Sequence, residues 1–179
     1  MILYEKALQL AVTAHAGQVR KHDNSPYIVH PIMVARIVES AGFPEVVVAA
    51  ALTHDVLEDT EVAVSQLLEV IGNDALKIVQ NVSEDKALVW EERKALYVKT
   101  VVAAGEETWA VSVADKIHNA TNLLAILKAE GESTWNYFNR GRAEKLWFER
   151  LLYTELKAVW THPLLDTYDG ILTQIEATA

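Results

Sequence analysis

Apolar residues in this chain return at three- and four-residue steps, segment after segment, and the segments stop at glycine or proline. That period lays one apolar stripe along a helix and leaves no clean alternation for a strand. In residues 2–16, Leu3, Ala7, Leu10, Ala11 and Ala14 share a face, and Gly17 follows. Pro31 suits the first turn of a helix reaching residue 41, with Gly42 as its stop. Residues 44–59 are expected to be helical as well. Val46-Val47-Val48 would suit a strand, but Ala49-Ala50-Ala51 and the length of the segment favour helix. Further helices are expected over 65–71, closed by Gly72, and over 73–82, 91–104, 108–130, 142–161 and 164–177. The sequence contains no convincing strand pair, Asn-Gly hairpin, internal repeat or linker. The expectation is all-α: residues 1–179 forming one compact domain of roughly eight to ten helices.

With 179 residues, about half of them apolar, the chain can bury a real core. No apolar run approaches a membrane span, and Met1-Ile-Leu-Tyr-Glu-Lys lacks the order of a secretory signal. There is no cysteine, which excludes disulfides, thiolate zinc sites and a cysteine nucleophile. A soluble cytoplasmic protein is the expectation. The net charge of −9 argues against nucleic-acid binding, which needs a basic footprint. It leaves room for a small anionic substrate, since a metal and a few cations can reverse the potential inside one cleft. The chain has no Gly-x-x-x-x-Gly-Lys phosphate loop and no Gly-x-Ser-x-Gly elbow, so neither ATP-driven nor serine chemistry is supported.

Three polar interruptions of the apolar pattern carry chemistry. The first is Ala51-Leu-Thr-His54-Asp55-Val-Leu-Glu58-Asp59-Thr60. On a helix turning about 100° per residue, His54, Asp55, Glu58 and Asp59 fall within an arc of about 140°. An imidazole beside a carboxylate can take a divalent metal, and two carboxylates one turn on can position or deprotonate water. Carboxylates so crowded raise one another's pKa unless a cation relieves them. The second is Asp115-Lys-Ile-His-Asn119, where Asp115 and Asn119 face the same way within an apolar run. The third is Tyr27-Ile-Val-His30-Pro31. Together His30, His54, Asp55 and Asp115 form a two-imidazole, two-carboxylate set that suits Mn²⁺, Fe²⁺ or Zn²⁺ better than Ca²⁺.

The order His…His-Asp…Asp resembles the signature of the HD phosphohydrolase superfamily. The finer motifs are His15-x-Gly17-Gln18-x-Arg20-Lys21, Pro26-Tyr27-x-x-His30-Pro31, His54-Asp55-x-x-Glu58-Asp59-Thr60 and Ala114-Asp115-Lys116-x-x-Asn119. They are similar to those of the small stand-alone Rel/Spo-type alarmone hydrolases, and they cover about the first two-thirds of the chain. The resemblance implies an HD-type helical domain and Mn²⁺-dependent release of the 3′-pyrophosphate of (p)ppGpp. It implies His30, His54, Asp55 and Asp115 as metal ligands, and Glu58 and Asp59 as the groups that orient and activate water. It places Arg20 and Lys21 against the nucleotide, and Asn119 against its sugar or the site. Arg20 also offers a planar face for a base.

The chain departs from the pattern at His22-Asp23-Asn24-Ser25, where a Gly-rich turn is usual, and this bears on the rim of the nucleotide pocket. Lys86 and Arg93 are candidates for phosphate contacts. The aromatics around Trp135 and Trp147 are expected to be core rather than a base-stacking platform. His22, His118 and His162 are expected to be structural or surface histidines. The alternatives are an HD hydrolase of another nucleotide ((p)ppApp, a dNTP or NADPH) and a non-catalytic nucleotide-binding HD protein. A Gly-Tyr-Pro element, expected of a cyclic-dinucleotide phosphodiesterase, does not follow the His-Asp pair. The expected partner is a small nucleotide, with no nucleic acid or membrane, and a homodimer is left open.

Overall fold

In a computed structural model, residues 2–20 and 23–178 are described, and among them nine α-helices and one 3-10 segment follow one another with no paired strands. The all-α expectation holds, and the helix count falls inside the range read from the sequence. None of these helices is long and apolar enough to cross a membrane. The chain divides into two compact units, Met1–Ala114 and Asp115–Ala179.

The first unit is built around α3 (Glu45–Thr53), which packs against α1 (Leu3–Ala14), α2 (Val29–Ser40) and α5 (Val64–Val82). Every residue of α3 from Val47 to Thr53 is buried. A helix that is apolar all round belongs in a core, and Ala49, Ala50 and Ala51 let three neighbours approach it closely. The Thr53 hydroxyl, buried with the rest, donates to the Ala49 carbonyl at 2.9 Å. α6 (Trp90–Ala104) packs on α5 and completes the set.

One helix of the first unit differs from the expectation. The helix expected over 44–59 ends at Thr53, and a separate short helix, α4 (Val56–Asp59), follows after a turn at His54 and Asp55. Asp55 sits at φ −92°, ψ −5°, in the sparsely occupied bridge region where many active-site residues are found. The helical arc drawn through the four polar residues is therefore broken between His54 and Glu58, and a turn aims them instead. At Gly72 the expected division holds: α5 is interrupted there by φ 77°, ψ 173°, a conformation only glycine adopts at no steric cost.

α7 (Glu106–Glu130) runs through the unit boundary, with Ala114 the last residue of the first unit and Asp115 the first of the second. The second unit continues with the 3-10 segment Gly131–Tyr137, α8 (Gly141–Val159) and α9 (Pro163–Ala177). Leu152, Leu156, Leu165, Leu172 and Ile175 form its core with Tyr168. Trp135 and Phe148 are buried as expected, whereas Trp147 and Tyr137 are about half exposed. His162 caps α9, its Nδ1 accepting from the Leu164 amide at 3.2 Å.

Candidate metal centre and acidic pair

His54 ends the most deeply buried helix of the first unit, and its ring is set by a short bond between Nδ1 and the Ala51 carbonyl, 2.8 Å apart. A carbonyl only accepts, so Nδ1 carries a proton, and in the neutral ring Nε2 presents a lone pair. That Nε2 faces Oδ2 of Asp55 at 3.1 Å, and Nε2 of His30 lies 3.5 Å from the same oxygen. The two rings meet edge to face with centroids 5.1 Å apart. His30 is held by its place in the first turn of α2, where it is almost wholly buried.

Lone pairs aimed at one another in a buried place are costly unless a cation or a proton lies between them. Two imidazoles and a carboxylate make a donor set of intermediate hardness, with the second nitrogen of His54 already committed to a backbone oxygen. The chemistry of these donors therefore fits a divalent transition metal. His30 and His54 each offer one ring nitrogen, and these lie within 4.8 Å of each other.

Tyr27 closes one side. Its hydroxyl donates to Asp55 Oδ2 at 2.6 Å and lies 3.4 Å from Asp59 Oδ2, while its ring sits against His30 and His15. His15, also buried, bonds Gln18 through Nδ1 at 2.8 Å, and Gln18 donates to the Asp59 carbonyl at 2.8 Å. The motif residues His15, Gln18 and Tyr27 thus tie the end of α1 and the start of α2 to α4. Sequence reasoning noted these residues in the motifs and gave them no role.

The acidic pair lies one turn beyond Asp55. Burial pushes the Glu58 carboxyl above its ordinary value of 4.5, and the charges of Glu84, Asp55 and Asp59 act in the same direction. The Glu84 amide, donating to Glu58 Oε2 at 3.2 Å, opposes them. A carboxylate poised upward in this way is better matched to accepting a proton near neutral pH. Lys86, a candidate for phosphate, lies on the pair: its Nζ donates to Asp59 Oδ1 at 2.6 Å and to the Glu58 carbonyl at 2.8 Å. Arg93 is engaged with Glu84 at 2.9 Å.

Arg20 lies on a tight excursion in which its amide donates to the Ser25 carbonyl at 2.9 Å, next to a bridge between Val19 and Pro26. Asn24 holds φ 55° there, the left-handed region that asparagine tolerates better than most residues. Lys21 and His22 lie outside the described residues.

In the second unit Asp115 is nearly buried. Lys116 donates to its Oδ2 at 2.7 Å and Asn119 to its Oδ1 at 2.6 Å. Asn119 thus orients Asp115. Lys116 also lies over the Phe148 ring, 5.6 Å from its centroid.

The chain is similar to several known proteins. The guanosine-3′,5′-bis(diphosphate) 3′-pyrophosphohydrolase MESH1 of Homo sapiens is 37% identical over 121 residues, 66% of this chain and 68% of that protein. Its Danio rerio counterpart is 36% identical over 121 residues, 66% of this chain and 67% of its own. A crystal structure of lmo0812 from Listeria monocytogenes superposes with a TM-score of 0.78 at 35% identity, covering 83% of this chain and 99% of that one. A metazoan ortholog of SpoT, described as hydrolysing ppGpp, superposes with a TM-score of 0.83 at 27% identity, covering 98% and 96% of the two chains. Residues 7–135 match the HD domain family, so the chain belongs to the HD domain family, whose fold implies a bound divalent metal.

Proposed function

We propose that this chain is a metal-dependent nucleotide phosphohydrolase that removes the 3′-pyrophosphate of (p)ppGpp, leaving GDP or GTP. The observation that carries this reading is the meeting of His30 Nε2, His54 Nε2 and Asp55 Oδ2 beside an acidic pair whose Glu58 is held above its ordinary pKa. The similarity to the pyrophosphohydrolases of Homo sapiens and Danio rerio supports the substrate.

His30, His54, Asp55 and Asp115 would hold the metal, with Mn²⁺ the ion that suits the set. Each of His30, His54 and Asp115 offers one atom such an ion takes. An ion held there would supply Lewis acidity for the phosphoryl oxygens and would lower the pKa of water. Glu58 and Asp59 orient the attacking water, and Glu58 accepts its proton as the new P–O bond forms. The bond from that phosphorus to the ribose 3′ oxygen breaks, and a proton returns to the leaving oxygen. Arg20 and Lys21 contact the nucleotide, the guanidinium of Arg20 pairing with phosphate or stacking on the base, and Asn119 contacts the sugar. Residues 1–179 act as one HD-type domain, in keeping with α7 and the family match both running past Ala114. The location is cytoplasmic.

Purified protein incubated with Mn²⁺ and ppGpp is expected to yield pyrophosphate and GDP in equal amounts, and a chelator is expected to stop the release. Turnover of (p)ppApp, a deoxynucleoside triphosphate or NADPH in place of ppGpp would move the substrate and keep the mechanism. Failure with every nucleotide and every divalent metal would overturn the enzymatic reading.

A further inference from the structure

The loop after α5 reaches back to the acidic pair at three points. The Glu84 amide donates to Glu58 Oε2 at 3.2 Å. Lys86 Nζ donates to the Glu58 carbonyl at 2.8 Å and to Asp59 Oδ1 at 2.6 Å, and lies 3.7 Å from Glu58 Oε1. The loop itself is pinned, because the Glu84 carboxylate is bound by both Arg93 and Lys94 of α6. α4 has only four residues and no side-chain cap, so it cannot fix its own two carboxylates. Gln18 and Tyr27 hold Asp59 from the other side, and this strap from α6 through Glu84 to Lys86 is what reaches both members of the pair.

We infer that Lys86 is a positioning residue for hydrolysis, a cation that clamps Asp59 and the Glu58 backbone so that the pair presents one arrangement to water. Of its three N–H donors, this lysine places two on the carboxylate and carbonyl of the pair. Its side chain remains 52% exposed, so the clamp is built at the edge of the site rather than buried. Misplacing a reacting group by about 1 Å can cost about a hundredfold in rate, so the clamp acts on kcat.

The inference rests on the proposed hydrolysis for its kinetics, and a second readout does not need it. Lys86→Ala, Lys86→Met and Lys86→Arg are compared with the wild type in the metal-loaded state. For the Ala and Met variants kcat is expected to fall about ten- to a hundredfold, with KM within about twofold and bound metal unchanged, and Arg is expected to restore most of the loss. A raised KM with unchanged kcat, or Arg as poor as Met, would overturn the inference. Crystal structures of Lys86→Met and wild type give the second readout. The Asp59 carboxylate is expected in more than one orientation in the variant, and one unchanged orientation would overturn the clamp. A wild type inactive on every nucleotide refutes the proposed reaction alone and leaves the crystallographic comparison to decide on Lys86.

Discussion

Glu58→Gln is expected to lower kcat by about two to four powers of ten, the range that a positioned general base contributes, while bound metal stays at the wild-type level. The substitution keeps shape and an oxygen for the Glu84 amide, and removes the charge and with it the ability to take a proton. In wild type the sign of the pH dependence follows from the environment of the carboxyl. Burial, with Glu84, Asp55 and Asp59 nearby, raises its pKa, so the base form is lost as pH falls through a value above the ordinary 4.5. The acid limb of kcat should therefore lie above pH 4.5. A Gln variant retaining nearly full turnover would remove Glu58 from the chemistry and favour a binding protein over an enzyme.

The largest effect on stability is expected at Glu149, which is 3% exposed inside the second unit. Burial alone would raise its carboxyl. Lys145 and Lys116, with hydrogen bonds from Lys145 and Tyr168, overcome that and hold it below the ordinary value of 4.5. Breaking a buried ion pair by removing one partner costs about 3–5 kcal/mol, and here it leaves Lys145 without its carboxylate while Lys116 keeps Asp115. For a chain of this length Glu149→Ala should lower Tm by roughly 10 °C. A carboxyl depressed in the fold contributes stability that is present above its unfolded pKa and lost as pH falls through its folded one. Wild type should thus lose this contribution below about pH 4.5, whereas Glu149→Ala should not show that step. Thermal melts of both proteins between pH 3 and pH 7, at ~0.5 unit steps, measure it, and equal melting curves would remove the pair from the stability of the fold.

The helices were legible because their signals are local. The three- and four-residue period, the alanines of α3 and the stop at Gly72 each act through a few neighbours. The turn at His54 and Asp55 was not legible, since Ala51 to Glu58 contains good helix formers and nothing in the segment announces a break. The bridge-region backbone at Asp55 appears only with the polar groups that meet there from α2 and its lead-in, Tyr27 and His30.

The candidate ligands could be picked by residue type, because imidazole and carboxylate interrupting apolar runs are chemically conspicuous. Their supports could not. Gln18 reaches the Asp59 carbonyl across 41 residues, and Lys86 reaches Asp59 across 27. A glutamine or lysine on a loop carries no mark of the distant atom it will hold. Asn119, expected against substrate, is seen four residues from Asp115 and bonded to it, an i to i+4 pairing that spacing alone would have allowed.

The most direct measurement is a crystal structure of the protein soaked in Mn²⁺, with anomalous scattering used to find the ion. One strong peak is predicted in direct coordination with His30 Nε2, His54 Nε2, Asp55 Oδ2 and a carboxylate oxygen of Asp115. A peak elsewhere, or none while His30 and His54 keep their present rings and bonds at full metal excess, would contradict the account.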